Sequence, residues 1–189
     1  GLGSSAAVTV ATVKALLDFY QVPLTKDRLY KLAAIAHLDV QGNGSLGDIA
    51  ASVYGGWIAY RSFDRSWLAA IRRETTLVEL INMDWPQLSI ELLTPPENLQ
   101  LMIGWTGSPA STSQLVDRIT IAKAKRRDAY HHFLHESKLC LEQMIAGFKA
   151  KDLKQIQAQI RRNRELLHEL SDFSQVSIET PLLQKMCDL

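Results

Sequence analysis

A short turn rich in glycine and serine, followed directly by a long apolar segment, constrains this chain more than any other feature. Residues 1–7 read Gly-Leu-Gly-Ser-Ser-Ala-Ala. Apolar residues then recur at steps of three and four, at Val10, Val13, Leu17 and Tyr20. This spacing predicts a helix over residues 4–20. Since the opposite side is also mostly Ala and Val, we expect the helix to be buried.

The junction between the turn and the helix has the character of an anion-binding site. The first N–H groups of a helix have no partner within it and carry a partial positive charge. Gly1 and Gly3 would let a ligand approach the backbone, while Ser4 and Ser5 add hydroxyl groups. Phosphate binds to helix N-termini in this way. The alternative reading is an ordinary glycine turn with a serine cap.

The pattern after this helix predicts mixed elements first. A second helix is expected from a Thr25 cap to about His37. A short helix over residues 46–53 would have Ser45 as its cap and Gly55-Gly56 as its end. Alternation and flanking turn residues predict three strands, at 57–62, 88–93 and 99–104. A short helix is expected between the first two strands, at 64–73.

The second half of the chain is expected to be mostly helical, which makes the fold class α+β. The double proline Pro95-Pro96 marks the best candidate boundary between domains. Helical spacing begins after Ser111 and continues to the end, and Thr180-Pro181 predicts the start of a last helix. We therefore divide the chain into domains at residues 1–97 and 98–189.

Composition limits the classes of partner. The 189 residues carry a formal net charge of +1, which gives no global reason to expect nucleic acid or a membrane as partner. Two basic runs, at 123–127 and 161–164, have acidic neighbours and are typical of solvated helix faces. The two cysteines, Cys140 and Cys187, show neither a disulfide framework nor metal-ligand spacing. Reduced thiols favour a cytoplasmic location.

Three segments in order along the chain resemble the GHMP kinases, a superfamily that includes galactokinase, homoserine kinase, mevalonate kinase and phosphomevalonate kinase. Residues 1–7 match the core of the family's second motif, which cradles the phosphates of ATP. Residues 42–56, Gly-Asn-Gly-Ser-Leu-Gly-Asp-Ile-Ala-Ala-Ser-Val-Tyr-Gly-Gly, look like the segment that brings an aspartate to the phosphoryl acceptor. Residues 105–116, Trp-Thr-Gly-Ser-Pro-Ala-Ser-Thr-Ser-Gln-Leu-Val, resemble the segment that opens the second domain of phosphomevalonate kinases.

The resemblance implies a fold, a reaction and a set of site residues. The fold would be the two-domain GHMP kinase fold, with an N-terminal part like domain 2 of ribosomal protein S5 and a ferredoxin-like, helical C-terminal part. The family's first motif would precede Gly1 and its third would follow Leu189, so we expect an internal portion of a longer kinase. The reaction would move the γ-phosphoryl of ATP to 5-phosphomevalonate with Mg²⁺. Mevalonate kinase activity and a non-catalytic fragment are the alternatives.

The implied site residues fall into three groups. Asp48 would be the catalytic residue, organising charge at the acceptor. The phosphates of ATP would be bound by Gly1, Leu2, Gly3, Ser4, Ser5 and Ala6, with the hydroxyl of Ser5 on Mg²⁺. The acceptor would be bound by Ser45, Arg61, Ser108, Ser111 and Thr112. Mevalonate kinases also use a glutamate upstream of their aspartate as a metal ligand, and here Asp39 is the acidic residue in that region.

Overall fold

A computed structural model describes residues 3–42, 44–104, 119 and 126–187. The chain forms two compact units, Gly1–Leu93 and Thr94–Leu189. Their assignment to the two domains of a kinase, with a boundary after residue 97, stays a prediction.

The first unit packs five helices around a two-stranded sheet. The helices are α1 (Ser4–Phe19), α2 (Lys26–Gln41), α3 (Gly47–Tyr54), α4 (Arg65–Ile71) and α5 (Leu77–Asn82). The strands are β1 (Trp57–Arg61) and β2 (Ser89–Leu93). They pair antiparallel, with Trp57 opposite Leu93 and Arg61 opposite Ser89. The side chains of β1 are mostly half-buried, and Tyr60 on this strand reaches the loop before α3.

The core of this unit lies among α2, α3 and α5. Tyr30, Leu46, Ile49 and Leu80 are its largest fully buried side chains. The indole N–H of Trp85 donates to the Leu80 carbonyl (2.9 Å), which fixes the chain after α5. Burial of these side chains removes large apolar areas from water, the dominant favourable term in folding.

A buried lysine ties α2 to the end of α5. Lys31 is 4% exposed, and its ammonium lies 2.6 Å from Asp27 Oδ2. The same ammonium donates to the Met83 carbonyl (2.9 Å). A buried charge requires such partners, and so the contact fixes α2 relative to the segment that leads into β2.

The prediction that α1 is a buried helix is wrong for this unit. Only Ala6 and Val10 are buried, where α1 meets α2 and α3. Val8 is 66% exposed and Phe19 is 77% exposed. The helix therefore buries one narrow stripe, since its neighbours in this unit lie on one side only.

Two details around the loop before α3 differ from the sequence predictions. α2 continues to Gln41 and ends at Gly42, whose left-handed conformation (φ 70°) completes the helix cap. His37 is therefore a buried residue inside α2 rather than its end. The N-cap of α3 is Leu46 and not Ser45. The Leu46 side chain is fully buried in the core, and this burial fixes where the helix begins.

The third predicted strand, at 99–104, is absent from the described part of the chain. Residues 101–104 have no regular structure, and Leu101, Met102 and Ile103 are mostly exposed. A strand needs a neighbour to satisfy its backbone groups. In the described residues β1 and β2 pair only with each other.

From residue 126 onward, the described part of the second unit is mostly helical, as predicted. Its helices are α6 (Arg127–Ala150), α7 (Leu153–Ser174) and α8 (Pro181–Cys187). Lys151 and Asp152 join α6 to α7 in a tight αα-hairpin, with Asp152 Oδ1 accepting from the Gln155 N–H (3.1 Å). Gly147 lies at the crossing, where a Cβ would be 3.1 Å from Ile156 Cγ1 and would push that side chain aside by a few tenths of an ångström.

Three acidic side chains surround Arg162 on α7. Arg162 lies within 3.4 Å of carboxylates on Glu136, Glu165 and Glu169. In the basic run at 161–164, Arg162 is therefore paired with acidic side chains of α6 and α7, whereas residues 123–125 of the other run lie outside the described residues. Among the described residues, none of the helices combines the length and the apolar character needed to cross a bilayer.

Candidate functional site

The N-terminus of α1 has the geometry expected of an anion-binding turn. Gly3 occupies the cap position in the left-handed conformation (φ 71°), and no side chain caps the helix. The first helical hydrogen bond runs from the Ala7 N–H to the Gly3 carbonyl (3.0 Å). The N–H groups of Ser4, Ser5 and Ala6 precede that bond, and both serines are exposed. Such N–H groups point out of the helix end, where a phosphate can accept from them.

The carboxylate of Asp48 stands at a second helix N-terminus. Asp48 is in the first turn of α3, where the helix dipole favours a negative charge. Its Oδ1 accepts from the Ile49 N–H (3.0 Å), which orients the carboxylate without burying it.

The fold brings these two helix ends into contact. A Cβ placed on Gly3 would lie 3.6 Å from the Cβ of Asp48. Since α1 and α3 also pack against each other, the contact is part of a helix–helix interface. The glycine-serine turn and the predicted acid therefore lie side by side on the surface of one unit.

The loop that leads to Asp48 has a strained backbone held by the core. Leu46 adopts the left-handed conformation (φ 63°), which costs a residue with a side chain about 1–2 kcal/mol. Its side chain is fully buried. Strain of this kind persists only where the surroundings fix it, and it concentrates at functional sites.

Two side chains from outside the loop bind its carbonyl groups. The phenol of Tyr60, on β1, donates to the Ser45 carbonyl (2.8 Å). The guanidinium of Arg65, at the start of α4, donates to the Gly44 carbonyl. Two consecutive peptide units of the loop are thus bound, one by β1 and the other by the start of α4.

A buried tyrosine completes this arrangement. The hydroxyls of Tyr30 and Tyr60 are 2.9 Å apart. Because the single proton of Tyr60 is used on Ser45, the Tyr30 hydroxyl must be the donor to Tyr60. Burial, together with this hydrogen bond, raises the pKa of the Tyr30 phenol above its ordinary value. Tyr30 therefore stays protonated and continues to donate at neutral pH.

The remaining predicted site residues have different surroundings. Arg61 is exposed at the end of β1, and within the described part of the chain it makes no hydrogen bond to the Asp48 loop. Ser45 is exposed, and its Oγ accepts from the Gly47 N–H at 3.4 Å. Asp39, considered as a metal ligand, pairs with Arg72 at 2.6 Å. Five predicted residues lie outside the described residues: Gly1, Leu2, Ser108, Ser111 and Thr112.

Sequence reasoning missed Tyr30 and Tyr60. Each reads as an ordinary apolar position of a helix or strand. The phenol groups meet only because α2 and β1 pack together, and their ring centroids are 6.2 Å apart. Arg65 binds the Gly44 carbonyl from 21 residues further along the chain, and no local pattern signals that contact.

The donors at this site suit Mg²⁺ held jointly with phosphate. In the described ranges, no group of three His, Cys, Asp or Glu side chains could hold a metal ion alone. Mg²⁺ in proteins commonly takes one or two carboxylates together with substrate phosphates and water. An exposed aspartate beside a turn that suits phosphate, with the Ser5 hydroxyl at the same helix end, fits that pattern.

Comparison with known proteins agrees with this geometry. Residues 1–56 match the family model described as the GHMP kinases N terminal domain. Phosphomevalonate kinase from Streptomyces sp. (strain CL190) is 36% identical over 188 residues, which cover 100% of this chain and 50% of that protein.

Two solved structures are similar over 100% of this chain. One is a Lin0012 protein from Listeria innocua, with 42% identity and a TM-score of 0.93 over 53% of that chain. The other is Streptococcus pneumoniae phosphomevalonate kinase in complex with phosphomevalonate and AMPPNP, with 31% identity and a TM-score of 0.83 over 54% of that chain. The chain thus spans about half the length of each relative. The expected fold is confirmed, and residues 1–56 match the N-terminal domain of the GHMP kinases.

Proposed function

We propose that the full-length protein transfers the γ-phosphoryl group of ATP to the phosphate of 5-phosphomevalonate, giving 5-diphosphomevalonate. The observation that carries the proposal is the contact between the Gly3 turn and Asp48. Support comes from the Streptococcus pneumoniae relative, which binds phosphomevalonate and AMPPNP. The proposal includes the cytoplasmic location that the cysteine content favours.

In this proposal the α1 turn holds the phosphate chain of ATP. The N–H groups of Ser4, Ser5 and Ala6 donate to its oxygens, and the positive end of the helix dipole offsets part of its charge. Mg²⁺ would be held by the Ser5 hydroxyl and phosphate oxygens, and when bound it would neutralise charge on the transferring group. Phosphoryl transfer depends mainly on such positioning and charge stabilisation.

Asp48 acts as an organiser of charge rather than as a general base. The acceptor is a phosphate group, and with a second pKa of about 6 it is mostly ionised at neutral pH. No proton has to be removed from such a nucleophile. A carboxylate beside phosphates would repel them unless a cation lies between the two. Asp48 is therefore suited to hold that cation, at the helix end where its own charge is favourable.

The activity is tested with a coupled ADP assay on the full-length protein. ATP-dependent turnover is expected with 5-phosphomevalonate and not with mevalonate, which lacks the acceptor phosphate. Turnover with mevalonate alone would favour mevalonate kinase. No turnover with either acceptor would favour a non-catalytic protein and contradict the proposal.

The role of Asp48 is tested by Asp48→Asn, which keeps the shape and removes the charge. We expect kcat to fall about 100-fold, the usual size of losing one electrostatic contact to a transition state. Asp18→Asn is the matched control. Asp18 is exposed near the other end of α1, about 22 Å along the helix from Gly3 at 1.5 Å per residue. If Asp48→Asn turned over like Asp18→Asn, Asp48 would have no part in the reaction.

A further inference from the structure

The loop that presents Asp48 receives its fixed position from a side chain that does not reach the carboxylate. Tyr60 contacts the loop at two points. Its hydroxyl donates to the Ser45 carbonyl (2.8 Å). Its ring packs on Gly47, where a Cβ would lie 3.3 Å from Tyr60 Cδ1. Gly47 directly precedes Asp48, so both contacts act on the peptide units just before the acid.

We propose that Tyr60 is a positioning residue for the Asp48 carboxylate, with Tyr30 as the buried donor that orients its hydroxyl. The inference rests on the proposed function, in which Asp48 organises charge at the acceptor. The hydroxyl of Tyr60 accepts from Tyr30 and donates to Ser45, so both of its hydrogen-bonding directions are set. Tyr30 is fully buried and therefore cannot turn away to water.

The strain in the loop explains why a second contact is needed there. Leu46, between Ser45 and Gly47, is in the left-handed conformation. Its buried side chain holds one end of the peptide segment, and the bond from Tyr60 holds the preceding carbonyl. Without the phenol hydroxyl, the Ser45 peptide can rotate toward a less strained conformation. The first turn of α3, which carries Asp48, would then move with it.

The test is a double-mutant cycle in the full-length protein, with transfer from ATP to 5-phosphomevalonate as the assay. Tyr60→Phe keeps the ring on Gly47 and removes only the hydroxyl. We expect kcat to fall about tenfold, because small misplacements of reacting groups are costly, while the KM for ATP stays unchanged. In the Asp48→Asn background the same substitution should have no further effect on kcat, since the residue it positions is already lost.

Tyr20→Phe is the matched control, because Tyr20 is exposed after the end of α1. It should leave kcat at the wild-type value. Wild-type kcat in Tyr60→Phe would overturn the proposal. Independent, multiplying effects of Tyr60→Phe and Asp48→Asn would also overturn it, since a merely structural loss would act in both backgrounds.

A second measurement separates this proposal from the proposed function. If the wild-type protein does not transfer phosphate to 5-phosphomevalonate, the proposed function fails. Hydrogen exchange at the amides of Ile49 and Ala50, which donate to Asp48 Oδ1 (3.0 Å) and to the Leu46 carbonyl (3.1 Å), then decides whether Tyr60 holds the loop. These amides should exchange faster in Tyr60→Phe than in the wild type or Tyr20→Phe, and equal rates would refute the positioning role.

Discussion

The left-handed conformation of Leu46 can be tested by the effect of substitutions at this residue on the free energy of unfolding. The perturbation is a pair of substitutions, Leu46→Ala and Leu46→Gly. A control pair at Leu80 uses the same residue type, also in the core (2% exposed), but inside the regular helix α5. Both sites lose the same side-chain atoms, and so the comparison isolates the backbone.

The expected magnitudes follow from the two environments. Truncating either leucine to alanine should reduce the free energy of unfolding by about 2–5 kcal/mol, as for other buried leucines. At Leu80, the free energy of unfolding of the glycine variant should be about 2 kcal/mol lower than that of the alanine variant. About 1 kcal/mol of this difference comes from helix propensity and about 0.8 kcal/mol from the lost methyl group. At Leu46, the alanine variant keeps the left-handed strain of about 1–2 kcal/mol, whereas the glycine variant has no Cβ and avoids it. The glycine and alanine variants should therefore be nearly equal there.

The assay is urea denaturation of the full-length protein, followed by tryptophan fluorescence. Trp67 and Trp85 are partly or fully buried in the first unit and report on its unfolding. The decisive quantity is the difference between the glycine and alanine variants at each site. If glycine were about 2 kcal/mol worse than alanine at Leu46 as well, Leu46 would have ordinary helical backbone. The loop before α3 would then store no backbone strain at Leu46.

Two further predictions concern other parts of the chain. The carboxylate of Glu179 binds Arg164 through Nε (2.9 Å) and Nη2 (3.1 Å), and this contact lowers the pKa of Glu179. The pKa of Glu179 is thus lower in the folded than in the unfolded protein. The ion pair therefore contributes its full stabilisation of the fold above the unfolded pKa of about 4.3, and this contribution is lost as the pH falls through the folded pKa. The gap in Tm between the wild type and Glu179→Gln should therefore narrow below that pH, and a constant gap would contradict the assignment. Separately, Thr76→Ala should reduce the free energy of unfolding by about 1 kcal/mol in urea titrations, because it removes the N-cap of α5; an unchanged midpoint would contradict the cap.

The sequence contains enough local signal to predict most of the first unit. The α1 start, the α3 end at Gly55-Gly56 and both strands of the sheet lie within a residue or two of the predicted positions. α5 was not predicted, although Thr76 and Glu79 form a capping box whose spacing is visible in the sequence. The sequence therefore carries a physical signal for the start of this helix.

Other features could not be derived from local pattern. Leucine is a poor choice for a left-handed cap, so propensity favours Ser45 over Leu46. The core overrides propensity there, because the Leu46 side chain is fully buried. The exposure of α1 is likewise a property of what packs around it rather than of its composition. Hydrogen bonds from Tyr60 and Arg65 link residues far apart in sequence, and a single sequence records no such pairing.

The way the loop is held follows from the chemistry proposed for Asp48. A carboxylate that must hold a cation needs its oxygen lone pairs free of strong protein donors, so fixing it through its own side chain would be counterproductive. In this fold the external donors bind backbone carbonyls before the acid, and Asp48 Oδ1 accepts only a local N–H among the described hydrogen bonds. The backbone is thereby preorganised while the carboxylate stays exposed. A direct salt bridge such as that between Asp39 and Arg72 would orient a carboxylate equally well, yet it would occupy the oxygen that a cation must reach.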